Sequence, residues 1–125
     1  MFWPKSYLEV NNKKLNIYIA DSPDEWERGL SWKDNMPENR GMLFIFSTSD
    51  FYKIWMKDMK FPIDIIWIGE DKKIVDIKTN ISPQTFPEIF TSRQPARYVL
   101  EVNSGWVDEN KIEIEDKIWY NLGLW

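Results

Sequence analysis

At 125 residues and 43 % apolar, the chain has the size and composition of one domain with one core. With no cysteine and no histidine, it excludes disulfides, thiolate nucleophiles, zinc ribbons, iron–sulfur sites and every Ser-His-Asp or Cys-His mechanism. The 16 basic residues are spread among 20 acidic ones for a net charge of −4, which disfavours nucleic acid, since duplexes are read first through phosphate neutralisation.

No metal site or cofactor motif is legible. A metal would have to sit among oxygen ligands, as magnesium or calcium does. Met1-Phe2-Trp3-Pro4-Lys5 lacks the basic and apolar regions of a signal peptide. No apolar run approaches the roughly 18 residues that span a bilayer, so no membrane association is expected and a cytoplasmic location is. Abundant isoleucine, lysine and glutamate without cysteine suits a thermophile. Eight tryptophans are the outstanding excess. Their main destination is read as the core, with an exposed aromatic binding surface as the competing reading.

The elements are predicted in chain order. Tyr7 to Val10 and the alternating Leu15, Ile17 and Ile19 form a hairpin around Asn11-Asn12. Ser22, Pro23 and Glu25 read as N-cap, first helical residue and capping-box carboxylate of a short helix carrying Trp26 and Leu30 on one face. Gly29 and Pro37 limit it. Met42 to Phe46 is a strand, Ser47 to Asp50 a turn, Phe51 to Met56 a strand, and Ile63 to Ile68 a strand buried on both faces except at Asp64. Gly69 to Lys72 turns into a strand at Ile74 to Ile77. Asn80 to Ala96, with three prolines, is an irregular loop that is either functional or a plain surface excursion. Tyr98 to Val102 is a strand, Asn103-Ser104-Gly105 opens a turn or short helix, Ile112 and Ile114 alternate like a strand, and Ile118 to Tyr120 is the last strand. The fold class expected is α+β, predominantly antiparallel, a compact barrel- or sandwich-like sheet with one or two short helices in a single domain over residues 1–125.

Two carboxylates interrupt apolar strands. Asp64 needs a partner if buried. It reads either as a ligand-facing group beside Lys57 or Arg28, or as an acceptor of backbone N–H groups that pins a turn. Glu101 shares a strand face with Val99, opposite Tyr98, Leu100 and Val102. If Asp64 and Glu101 met, they could act as acid and base in a hydrolase or transferase, with or without magnesium. Lys57 could act as a base or Schiff-base lysine only if buried. Serines 31, 47, 49 and 104 lack an activating histidine and a Gly-x-Ser-x-Gly elbow. Trp3, Trp32, Trp106, Trp119 and Trp125 flank the strands and read as barrel-end caps or as stacking surfaces.

Glu25 with Arg28-Gly29-Leu30, then Gly41-Met42-Leu43-Phe44 and Phe46, Trp55-Met56-Lys57, Pro62-Ile63-Asp64-Ile65-Ile66 and Tyr98-Val99-Leu100-Glu101-Val102 with Gly105 resemble, in order and spacing, the domain of unknown function 192 family. The likeness covers about residues 15–120. Asp58 stands where the family usually has asparagine, and Ser31 where it usually has methionine. The resemblance implies a compact, mainly β domain, no established reaction, and a cluster of Arg28, Gly29, Trp55, Lys57, Asp64 and Glu101. Taken together, these readings favour a small ligand-binding or non-catalytic domain. Its candidate binding residues are Arg28, Trp55, Lys57, Asp58, Asp64 and Glu101, and its ligand is a sugar or another small polar molecule. The carboxylate enzyme and a structural or protein-interaction domain are the alternatives.

Overall fold

The computed structural model describes residues 6–123. Seven strands, β1 (Tyr7–Val10), β2 (Lys13–Ala20), β3 (Arg40–Asp50), β4 (Ile63–Ile68), β5 (Ile74–Ile81), β6 (Ala96–Asn103) and β7 (Trp119–Asn121), form one sheet. Their order is β5-β4-β6-β3-β2-β1-β7. Two short helices, α1 (Pro23–Arg28) and α2 (Trp106–Glu109), accompany it. Among the described residues, only β2 and β3 pair in parallel, and their connection carries α1, as a parallel crossover requires. The fold is therefore α+β and mainly antiparallel. The sheet is not closed into a barrel, because β5 and β7 end it. The residues preceding β7 nevertheless reach the β5 edge: Ile74 N–H donates to the Asp116 carbonyl and Ile118 N–H to the Lys72 carbonyl, both at 2.9 Å.

Local chemistry accounts for the first elements. Asn11 and Asn12 both adopt positive φ, 51° and 60°, which a tight two-residue hairpin loop requires and asparagine tolerates. At the α1 N-cap, Ser22 Oγ accepts from Glu25 N–H, while Glu25 Oε1 accepts from Asp21 N–H at 3.1 Å and from the Ser22 hydroxyl at 2.9 Å. The reciprocal cap is the one expected, displaced by one residue at its return bond.

Each face of the sheet carries its own core. Leu8, Leu15, Leu43, Ile66, Ile68 and Leu100 pack on one side, beneath α2, Ile112 and Ile118. Phe44, Phe46, Ile63, Ile65, Trp67 and Val99 pack on the other, beneath Trp26, Leu30 and the chain from Tyr52 to Phe61. Strand alternation makes this division, since neighbouring residues point to opposite faces. Of the eight tryptophans, Trp67 is fully buried, whereas Trp32, Trp55 and Trp119 are exposed. Trp106 packs partly against the first core; Trp3 and Trp125 lie outside the described residues.

Three expected elements differ. Ser47 to Asp50 continues β3 instead of turning. Phe51 to Met56 forms no strand. It crosses the second core face, where Tyr52 stacks on Phe46 at 3.6 Å, its carbonyl accepts from the Trp67 indole, and a lone bridge joins Ile54 to Phe90. The Ile112–Ile114 alternation belongs to a turn: Ile112 is buried, Ile114 is exposed, and Asp116 Oδ2 accepts from Glu113 N–H at 2.8 Å.

Asp64 settles one sequence question. Fully buried and on the α2 side of β4, it accepts from Asn80 N–H at 2.8 Å, Val107 N–H at 3.0 Å and Gly105 N–H at 3.2 Å. Its partners are these amides and not Lys57 or Arg28. It pins the end of β5 and the start of α2 to β4. Asp64→Asn, which turns an acceptor oxygen into a donor, should cost about 3 kcal/mol in urea unfolding at neutral pH. A loss under about 1 kcal/mol would show that the carboxylate does not hold these amides.

Candidate functional site

On the opposite side of the sheet from Asp64, a cleft of about 620 Å³ opens between the end of α1 and the 53–59 segment. Phe44 and Glu101 reach it from the sheet, Arg28, Gly29 and Trp32 from one wall, and Lys53, Trp55, Lys57 and Asp58 from the other. Two hydrogen bonds join the walls at one end: Trp32 N–H donates to the Asp58 carbonyl at 2.9 Å, and the Ser31 hydroxyl to the Lys57 carbonyl at 3.1 Å. Asp58 adopts φ 59°, a left-handed conformation that aspartate and asparagine tolerate best among residues with side chains. Gly29 ends α1 at φ 50° and ψ −130°, and a Cβ there would lie 3.2 Å from the Phe44 ring. The Arg-Gly-Leu turn thus lets the helix end settle onto the sheet. Gly41 has a comparable role beneath: a Cβ on it would lie 2.9 Å from the Glu101 carbonyl oxygen.

The cleft mixes flat apolar rings with charge. Trp55 is 46 % exposed, its ring 5.1 Å from that of Phe86 and with Lys57 Nζ 5.7 Å from its centroid. Lys57 itself is exposed, so the burial that a Schiff-base lysine needs is not provided. A smaller hollow of about 320 Å³ shares Arg28, Gly29, Ser31 and Trp32 with the cleft and extends to Tyr18 and Lys33.

Glu101 is the unusual member. Its side chain is 5 % exposed, and its cross-strand neighbours are Met42 on β3 and Ile65 on β4. No hydrogen bond or ion pair to its carboxyl occurs among the described residues. Burial alone pushes its pKa up to about 7, because a low-dielectric site disfavours the charged form.

The structure brings five of the six candidates together, namely Arg28, Trp55, Lys57, Asp58 and Glu101. Asp64 is not among them. It aligns with Val102 while Glu101 aligns with Ile65, so the two carboxylates point to opposite faces and form no acid–base pair. Sequence reasoning missed Lys53, which it placed within a strand. It flagged Trp32 only as an exposed ring. Among the described residues, no group of three or more acidic side chains is placed to hold a metal ion, and no helix is long and apolar enough to cross a membrane.

The pKa of Glu101 fixes a pH signature. Below pH 4.5, its ordinary value, the carboxyl is neutral in both folded and unfolded chains, and burial then costs no ionisation. Between 4.5 and about 7 the unfolded chain loses the proton first, so the contribution of Glu101 to stability falls as pH rises and levels off above that window. Glu101→Gln should match the wild type in urea unfolding at about pH 4 and exceed it by on the order of 3 kcal/mol at about pH 8. Equal stabilities at both pH values would show that Glu101 ionises as freely as an exposed carboxylate.

Comparison with known proteins places this geometry. A crystal structure of a "putative transcription regulator" from Sinorhizobium meliloti 1021 superposes with a TM-score of 0.85 at 30% identity, covering 95% of this chain and 94% of that one. A protein of unknown function from Novosphingobium aromaticivorans superposes with a TM-score of 0.84 at 25% identity, covering 93% of this chain and 83% of that one. No curated protein matches the sequence. The model of the domain of unknown function 192 family, described as an uncharacterized ACR, matches residues 6–120. The chain belongs to the domain of unknown function 192 family.

Proposed function

We propose that the cleft between α1 and the 53–59 segment binds a small polar molecule of the sugar class and that the domain works by binding instead of by catalysis. One observation carries this reading: a buried carboxyl, Glu101, faces the cleft with no partner among the described residues. Its carboxyl oxygens open to the cleft, since Arg40 Nε is the one buried side-chain polar atom without a partner among the described residues, and a ligand hydroxyl there would take the place of water. Trp55 supplies an exposed ring face of the kind on which sugars stack. Arg28 and Lys57 supply hydrogen-bond donors at the mouth.

A direct role on nucleic acid, which the description of the Sinorhizobium protein would invite, finds no support in a net charge of −4. The expected setting is the cytoplasm, on the reading of the sequence.

Thermal unfolding of the whole chain against sugars, nucleotides, magnesium and calcium tests the reading. A ligand at about 100 times its dissociation constant adds roughly 2.7 kcal/mol, which raises the midpoint by several degrees. A sugar-type compound should raise it for the wild type but not for Trp55→Ala or Glu101→Gln. If no compound acts through these residues, the cleft is not a small-molecule site and a protein partner becomes the better reading.

A further inference from the structure

We infer that the ligand of this cleft is an amine-bearing polyol whose ammonium group seats against Glu101 while its ring lies on Trp55. The inference rests on the binding reading above and specifies its chemistry. A hydroxyl and an ammonium can both meet a buried carboxyl, and the surroundings favour the ammonium. Hydrogen bonds to an ionised acceptor are about twice as strong as neutral ones, and Coulomb attraction grows as the site is dehydrated.

The charges around Glu101 point the same way. From α1 come Asp24, Glu27 and Arg28; from the opposite wall come Lys53, Lys57 and Asp58. With Glu101 ionised, four carboxylates face three cations. The strands flanking Glu101 contribute Met42 and Ile65 beside it, which carry no charge. None of the three cations is ion-paired to Glu101 among the described residues, although all line the same cleft. The place of a counter-ion beside the carboxyl is therefore left to the ligand. The rings agree with a cationic guest: Trp26, Phe44 and Trp55 line the cleft, and the face of Trp55 already accepts Lys57 Nζ at 5.7 Å. Aromatic faces attract cations through their quadrupole. An anionic group would meet the Glu101 carboxylate at the floor.

The proton balance supplies a signature that affinity alone does not. An ammonium seated on Glu101 favours its ionised form, so a carboxyl that was protonated before binding releases its proton to solvent. A neutral hydroxyl leaves that proton in place.

The experiment is titration calorimetry on the full chain at about pH 6, where an amino sugar is cationic and Glu101 holds its proton, in two buffers of different ionisation enthalpy. Glucosamine, glucose and N-acetylglucosamine are the probes, alike in ring and different in charge. Glucosamine should bind at least about tenfold tighter than the neutral pair and release close to one proton. Glu101→Gln should lower its affinity to that of glucose and abolish the proton release. Circular dichroism of that variant separates a lost contact from a lost fold. Equal binding of glucose and glucosamine, or glucosamine binding without proton release, overturns the ammonium assignment and leaves the polar cleft standing. If none of the three binds, the ammonium assignment again falls. The cleft reading falls with it only if no compound in the wider thermal panel acts through Glu101.

Discussion

The carboxylate of Asp64 holds the domain's architecture together. It sits within β4, fully buried, where a charged group is tolerated only if its surroundings replace water. Three backbone amides do so, from Asn80, Gly105 and Val107. These belong to the end of β5 and to the chain that leaves β6 for α2. One side chain on the middle of three neighbouring strands thus fixes where both outgoing segments go. Two backbone irregularities meet at this point, because Asn80, at the register shift near the end of β5, has φ 54° and Gly105, before α2, has φ 97°, both left-handed. Asn80 Oδ1 also accepts from the Ser104 hydroxyl at 2.5 Å, tying the end of β5 directly to the chain that enters α2.

Glu101 is the counterpart on the other face, and the contrast separates structural from functional burial. The two carboxylates belong to adjacent strands, one register step apart. One accepts three amides; the other accepts none among the described residues. The buried Asp64 carboxylate is compensated within the chain, whereas the Glu101 carboxyl is left to the water of the cleft, the one buried unpartnered side-chain atom among the described residues being Arg40 Nε. The same chemistry therefore reads as an anchor at position 64 and as an open valence at position 101. The raised pKa of Glu101 follows from that difference.

Strand alternation and caps were legible because they are local. The Asn11-Asn12 hairpin, the Ser22–Glu25 cap and the Ile63–Ile68 strand all declare themselves within a few residues, although the strand was expected to be buried except at Asp64 and Asp64 is buried too. The facing of Glu101 with Val99 was also legible from alternation, and the topology confirmed it. The separation of Asp64 from Glu101 was not, because it depends on the register of β4 against β6, which no local pattern encodes. Phe51 to Met56 misled for a related reason. Its aromatic and apolar residues suit a strand, but they serve to cover the Phe46 and Trp67 face, a tertiary demand that overrides β propensity. Lys53 was missed with that segment, since its place on the cleft wall follows from the crossing.

The cleft has a floor built on the sheet and walls built from a helix end and a loop segment. Glu101 stands on a strand hydrogen-bonded on both sides, to β3 and to β4, so its carboxyl emerges from a rigid element. Arg28, Trp32, Trp55 and Lys57 come instead from a helix end and a loop segment, joined at one end by the bonds Ser31–Lys57 and Trp32–Asp58. Those bonds use main-chain carbonyls of the 57–58 turn and do not engage the side chains of Lys57 and Asp58, the former lying over Trp55. A ligand would therefore meet one acidic group held on the sheet, with rings and charges on either side of it. The Arg-Gly-Leu and Trp-Met-Lys blocks, more than 20 residues apart in sequence, form opposite walls of one cleft over the Glu101 of a third block. Blocks with no local reason to occur together thus acquire a common physical role, whereas the block containing Asp64 serves the frame behind the sheet.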